Sequence, residues 1–399
     1  MNNLAEVAGY TVVGSLEQVG RPDSRYMIGR GKAEELGQLA KSLEAERIIF
    51  DNELKPIQTY NLAKMAGVEV VDRLQLILQI FSRRASTRET ELQIRLAELQ
   101  YELPRARERV RLARQGEQPG FLGLGRYEVD VYFEAIRRQM AHIRSELRDI
   151  RTKRVLHRSR RKELGFSLVS LAGYTNSGKS TLFNRLTQES VPVSGGLFTT
   201  LSTTTRAISF GGRKALLTDT IGFIDRLPII LIEAFHSTLE ETILADSILL
   251  ILDVSETPSE VERKLSCCLD TINHIGAGGV PITTVLNKID LLPSVELEER
   301  IRRFISIAPN PVPISALRGL NIDVLKETVS RQLGNYVEAV LTLPSNSRSL
   351  SFLSQIRDKA NVLGVEYGNK TMEVRLEGLA VFIDRIKEQA RGLGGAVLR

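Results

Sequence analysis

The sequence predicts an α/β multidomain protein: an N-terminal α/β domain, an antiparallel helical hairpin, a doubly wound domain and a small C-terminal α+β module. Three observations carry this. A glycine loop, Gly173-Tyr174-Thr175-Asn176-Ser177-Gly178-Lys179-Ser180, follows a strand-like apolar run (Phe166 to Ala172) and precedes a helix-like one (Thr181 to Leu186). Before it, two apolar stripes with helical spacing flank a Gly/Pro-rich segment. At both ends of the chain, short apolar runs alternate with amphipathic stretches.

The N-terminal α/β domain is expected over residues 1–82. Thr11 to Val13, Tyr26 to Ile28, Arg47 to Phe50 and Val68 to Val71 read as strands, and Lys32 to Leu43 and Pro56 to Met65 as helices. Gly29-Arg30-Gly31-Lys32 lacks phosphate-loop spacing and reads as a turn before a helix. Residues 83–163 read as the hairpin. Leu92, Leu96, Leu99 and Leu103 form one stripe; Tyr132, Ile136, Met140, Ile143, Leu147 and Ile150 form the other. Gly116, Pro119, Gly120, Gly123 and Gly125 make the tip, and Pro104 is placed to kink the first arm. Residues 164–334 read as a mostly parallel sheet with flanking helices, its loops at strand C-terminal ends. In 335–399, Tyr336 to Leu343, Gly364 to Tyr367 and Thr371 to Leu376 read as strands, with helices at Ser349 to Leu363 and Leu379 to Ala390.

Composition narrows the classes. In 399 residues, 42% are apolar and no apolar run approaches a membrane span, so no stable membrane insertion is expected. The N-terminus has no basic-then-apolar leader. Cys267 and Cys268 are neighbours in an amphipathic stretch, the four His are scattered, and no metal-ligand spacing exists. A cytoplasmic protein, monomeric when free, is the expectation. Net charge is +6, but residues 83–163 hold 21 Lys+Arg against 12 Asp+Glu, so the rest of the chain is net negative. Runs such as Arg105-Ala106-Arg107-Glu108-Arg109-Val110-Arg111 and Arg158-Ser159-Arg160-Arg161-Lys162 exceed what two solvated helix faces need. They point to RNA or phosphate contact.

The motifs define the chemistry of a P-loop GTPase doubly wound domain. Gly173 to Ser180 fits G-x-x-x-x-G-K-[ST], whose backbone N–H groups at a helix N-terminus face an anion. Lys179 can reach the β- and γ-phosphates, Ser180 can hold Mg2+, and the nucleotide-contacting run extends to Thr181. Asp219-Thr220-Ile221-Gly222 is D-x-x-G: Asp219 can hold a Mg2+-bound water, and the Gly222 N–H can meet the γ-phosphate. Phe223 follows, where many GTPases carry a water-orienting Gln; a phenyl ring cannot do that work. Intrinsic hydrolysis is therefore expected to be slow, or to need another group or a partner. Asn287-Lys288-Ile289-Asp290 lies 108 residues after Lys179, behind the apolar run Ile282 to Leu286. As N-K-x-D at a strand end, it reads guanine: Asp290 can accept from N1–H and the 2-amino group, donors that adenine lacks. Ser315-Ala316-Leu317 is the weaker third base-contacting loop.

From near residue 20 onward the chain resembles the HflX GTPases. The resemblance rests on Ile49 to Pro56, Val71 to Phe81, Leu96 to Tyr101 with Leu103-Pro104-Arg105, the Gly173 to Thr187 run, Leu197 to Leu201, and Asp219 to Pro228 with Glu233-Ala234-Phe235. It implies a Mg2+-dependent GTPase that converts GTP to GDP and binds the large ribosomal subunit. Bacterial members separate ribosomal subunits under stress, and the family's hairpin loop approaches the peptidyl-transferase region. The tip departs from the bacterial polar pattern: Pro119 to Asp130 is more apolar. Phe223 does not depart, since the family is apolar there too. Phe198-Thr199-Thr200-Leu201 resembles the loop in Obg-like and HflX-like GTPases, which favours Thr200 as the γ-phosphate sensor and Mg2+ ligand; Thr204 or Thr205 is the alternative, by analogy with Era-like T-T-R. Asn176 matches an Era-like position that helps bind K+; a loop-capping Asn is the alternative. Two other readings stay open: an RNA assembly factor, and a non-enzymatic, nucleotide-stabilised module gripping a coiled coil.

Overall fold

The computed structural model describes residues 1–85, 87–114, 126–188, 204–219, 244–357 and 359–398. Met1–Ile150 lies in one compact unit, and a second begins at Arg151.

In the first unit, helix α1 (Asn2–Val7) precedes α2 (Arg30–Ser42), β1 (Arg47–Ile49), α3 (Pro56–Ala66), β2 (Glu69–Val71) and α4 (Arg73–Arg84). β1 and β2 pair in parallel, as a β-α-β crossover requires. α2 and α3 cover them through Ala33, Ala40, Leu62 and Ala66. Two expected strands do not form. Thr11 to Val13 is exposed, irregular chain, and Tyr26 to Ile28 contributes only a bridge between Asp23 and Met27. Neither segment finds a partner edge, and β-branched residues alone do not make a strand. α4 was not anticipated as a helix. Leu74, Leu76, Ile77, Leu78, Ile80 and Phe81 are all buried on one broad face, and Gln75, Gln79, Ser82 and Arg83 lie opposite, so the helical period was present in the sequence and went unread.

The hairpin arms are α5 (Arg88–Arg114) and α6 (Arg126–Glu163). Leu92, Leu96 and Leu99 meet Ile136, Met140 and Ile143, with Leu103, Leu147 and Ile150 at the margins. An Arg88–Glu146 ion pair at 3.2 Å joins the start of one arm to the later part of the other, as antiparallel packing demands. α5 continues through Pro104.

The next residue is withdrawn from the anion-seeking set. Arg105 Nη2 donates to Asp72 Oδ2 at 3.0 Å and to the Leu54 carbonyl at 2.9 Å. Its guanidinium lies 3.3 Å from the Tyr101 ring centroid. Asp72, 1% exposed, also accepts from the backbone N–H of Leu54 and caps α4 at Gln75 N–H. Burial, with Asp72 beside it, raises the Tyr101 phenol far above its ordinary pKa. Arg105 thus joins the hairpin to the α/β domain. Arg105→Ala strands a buried carboxylate and is expected to cost about 3–5 kcal/mol; urea unfolding of the full chain measures it, and a loss below about 1 kcal/mol contradicts the joint.

Among the described residues, the second unit holds two sheets. The larger has six strands: β3 (Ser167–Gly173), β4 (Thr204–Phe210), β5 (Arg213–Asp219), β6 (Ser247–Asp253), β7 (Ile282–Asn287) and β8 (Val312–Pro313), in the order β4-β5-β3-β6-β7-β8. Only β4 runs antiparallel to its neighbour. β3 is buried along its whole length, as a central parallel strand must be. Helices α7 (Lys179–Thr187), α8 (Pro258–His274), α9 (Ser294–Ile305) and α10 (Ile322–Gln332) belong to the same domain. Phe183, Leu186, Leu325 and Val329 pack on Val169, Leu171 and Leu217.

The C-terminal module comprises β9 (Tyr336–Pro344), α11 (Ser347–Arg357), β10 (Asn361–Tyr367), β11 (Thr371–Leu379), α12 (Ala380–Gly392) and β12 (Ala396–Val397). Its antiparallel sheet has the order β10-β11-β9-β12. The helix expected to reach Leu363 stops at Arg357, because Asn361 to Tyr367 pair with β11 instead. That strand is longer than its Gly364 to Tyr367 core suggested. Arg213, the first residue of β5, anchors the module: it pairs with Glu377 at 2.6 Å and donates to the Ser330 and Leu333 carbonyls. Tyr336 donates to the Lys214 carbonyl at 2.9 Å.

Candidate nucleotide site

The parallel topology fixes where chemistry can gather. β3, β5 and β7 end at Gly173, Asp219 and Asn287, all on the same edge of the sheet. From Gly173 the chain turns into α7, with two positions that admit only glycine. At Gly173 (φ +142°) a Cβ would stand 2.3 Å from the Ile251 carbonyl oxygen; at Gly178 (φ +97°) it would stand 2.2 Å from Asn287 Nδ2. Asn176 between them is left-handed, at φ +65°, with its side chain exposed.

Lys179 is folded back on this loop. Its ammonium donates to the carbonyls of Gly173 (3.1 Å) and Tyr174 (2.8 Å). It is buried, which pulls its pKa below the ordinary lysine value, while the Asp219 charge pushes the other way. A desolvated cation held inside a ring of backbone groups is arranged to meet phosphate oxygens at close range. Beside it, Ser180 Oγ donates to Asp219 Oδ2 at 3.2 Å. A hydroxyl and a carboxylate from two loops, already in contact, form an oxygen donor pair of the kind Mg2+ takes. Ser180 and Asp219 are the residues that would hold it.

The base loops are braced through Asn287. Its Nδ2 donates to the Ser177 carbonyl at 2.9 Å, and its Oδ1 accepts from Ala316 N–H at 3.0 Å. One side chain thus spans the phosphate loop and the third loop. Lys288, at φ +69°, pairs with Asp253 Oδ2 at 2.6 Å. Asp290 Oδ1 is buried with no hydrogen-bond partner among the described residues. A buried acceptor of that kind is costly unless a ligand satisfies it, and guanine's N1–H and 2-amino group are suitable donors. Ser315 Oγ accepts from Arg318 N–H, closing the turn that exposes Leu317.

Two supports were invisible in the sequence. Arg185 on α7 donates to the Ala316 carbonyl at 3.1 Å and to that of Leu317, gripping the third loop from the helix that follows the first. Asp253 orients Lys288 from the end of β6. Both link segments far apart in sequence, and no local pattern marks them.

Gly173 to Thr181, Asp219, Asn287, Lys288, Asp290 and Ser315 to Leu317 are therefore brought to one edge of one sheet. Phe198, Thr199, Thr200, Leu201, Thr220, Ile221, Gly222 and Phe223 lie outside the described residues. The alternative sensors lie in β4, where Thr204 pairs across from Asp219 and the Thr205 hydroxyl meets that of Thr218 at 3.0 Å.

Comparison with known proteins decides the family. Family models match in three consecutive blocks: GTP-binding GTPase N-terminal over residues 1–82, GTP-binding GTPase middle region over 84–161, and 50S ribosome-binding GTPase over 168–288. GTPase HflX of Thermofilum pendens is 43% identical over 99% of this chain and 93% of its own length. The chain belongs to the HflX GTPase family. It is accordingly a GTP-binding protein that hydrolyses GTP. GTPase HflX of Escherichia coli is 34% identical over 89% of this chain and 83% of its own. A GTP-binding protein of Sulfolobus solfataricus, solved in complex with GDP, is 26% identical, with 83% of this chain and 93% of that chain covered and a TM-score of 0.44. Among the described residues of this HflX-family chain, no helix is long and apolar enough to cross a membrane.

Proposed function

We propose that this GTPase is a Mg2+-dependent switch of the cytoplasm that docks on the large ribosomal subunit through rRNA contacts of its hairpin. The nucleotide half of the reading rests on Asp290: its buried, unpartnered Oδ1 asks for a donor that guanine supplies. Ser180 and Asp219 hold the Mg2+, which supplies charge neutralisation at the phosphates, and Lys179 binds the phosphate oxygens directly. Thr200 and the Gly222 N–H are assigned to sensing the γ-phosphate. Their contact with the γ-phosphate, made with GTP and lost on hydrolysis, is the switch.

The partner half is supported by the description of the matching family, 50S ribosome-binding GTPase, and by the charge of the hairpin. With Arg105 committed to Asp72, the described cations that remain exposed include Arg137, Arg138, Arg144 and Arg148 on α6. Arg137, Arg144 and Arg148 share one face, beside the apolar stripe. Docking in the GTP state then serves to separate or rescue ribosomes.

Phosphate contacts carry a signature. Each neutralised phosphate steepens the fall of affinity with salt. Cosedimentation of the GTP-bound protein with large ribosomal subunits is expected to weaken at least about tenfold between 50 and 200 mM salt. Arg144→Ala with Arg148→Ala is expected to flatten that slope. Salt-independent association would instead indicate apolar docking and contradict the rRNA reading.

A further inference from the structure

The second unit contains a groove that neither GTP hydrolysis nor the hairpin uses. It lies between the β4–β5 turn and the edge strand β10, has a volume of about 540 Å3, and is open to solvent. Ser209, Gly212 and Lys214 form one wall; Arg357, Asn361 and Tyr367 belong to the other. Two features distinguish it from ordinary surface. Among the described residues its lining includes two cations and no carboxylate, and neither Lys214 nor Arg357 has an ion-pair partner there. By contrast, neighbouring Arg213 and Arg375 are both paired with glutamates. Tyr367, at the end of β10, is 66% exposed.

We propose that this groove binds a short single-stranded RNA segment, with Lys214 and Arg357 on its phosphates and Tyr367 stacked on a base. Cations that track a backbone, combined with an exposed aromatic ring, are the elements of single-strand recognition. The polar, cationic lining does not suit an apolar small molecule, whose pockets are mostly apolar. Gly364, where an added Cβ would meet nothing within 4 Å, leaves the β10 backbone open to a base edge. The proposal shares with the ribosome reading the premise that the partner contains RNA, but it concerns a different surface and is tested without ribosomes.

The test uses the full chain with GDP and a 4-thiouridine-containing oligouridine of eight nucleotides. Photocrosslinking followed by peptide mapping is expected to place the RNA on residues 357–367. Fluorescence anisotropy with the same oligonucleotide is expected to weaken about tenfold in Tyr367→Ala and to recover in Tyr367→Phe, which keeps the ring. Lys214→Ala and Arg357→Ala are each expected to lower the salt slope by about one. Crosslinks confined to residues 88–163, or anisotropy unchanged by all three alanine variants, would overturn the groove assignment and leave the hairpin reading intact. Equal competition by inorganic polyphosphate, with Tyr367→Ala without effect, would mean that the groove takes phosphate alone, and would also overturn it.

Discussion

Lys179→Ala is expected to lose tight GTP binding and to lower turnover by about 10²- to 10³-fold, the scale for removing one preorganised charge donor from a water-poor site. The structure explains why the loss is large. The Lys179 ammonium is already desolvated and already held by the Gly173 and Tyr174 carbonyls. Much of the cost of bringing a cation to the phosphates is therefore met on folding, and GTP gains a nearly full-strength contact. A water molecule in the alanine cavity cannot replace the charge. Binding of a fluorescent GTP analogue and single-turnover hydrolysis, read beside a thermal melt, separate this effect from unfolding. Unchanged kinetics in a folded variant would refute the assignment.

Asp290→Asn is expected to exchange guanine for xanthine preference. Two hydrogen bonds to a charged acceptor contribute about 1.5–3 kcal/mol each, so GTP should bind about 10²- to 10⁴-fold more weakly. The asparagine amide can instead donate to the 2-oxo group of xanthosine triphosphate. The buried Oδ1 of Asp290 has no partner among the described residues to compensate for either change, so the effect should fall on the ligand rather than on the fold. Competition between GTP and xanthosine triphosphate measures it. Retained GTP preference would show that the carboxylate does not read the base.

Much of the site was legible because its motifs are local. A phosphate loop is one turn of chain between a strand and a helix, and Gly173, Gly178, Lys179 and Ser180 each take a place set by that turn. The placement of Asp219 and Asp290 was legible for the same reason, one closing β5 and the other lying just past β7. The braces were not. Asn287 was read as a base contact, yet it also ties Ser177 to Ala316, and Arg185 reaches Ala316 from another helix. These links depend on which strands become neighbours, which no short window contains.

The same distinction holds for the fold. The hairpin stripes were readable because a helix packs its own face with a fixed period. The Thr11 to Val13 strand failed because a strand needs a partner, and the helix from Ser349 overran because Asn361 to Tyr367 had one in β11. Arg105 is the clearest case: its place in a basic run suggested RNA, while its partner Asp72 lies 33 residues away in sequence. Charge counts locate a candidate surface; they do not say which cations are already used.

GTP hydrolysis with and without purified large ribosomal subunits, across a salt series, tests the central proposal most directly. Slow intrinsic turnover, with strong stimulation by the subunits that fades as salt rises, is the expected result. Absent stimulation, with GTP binding intact, would contradict a ribosome-activated switch.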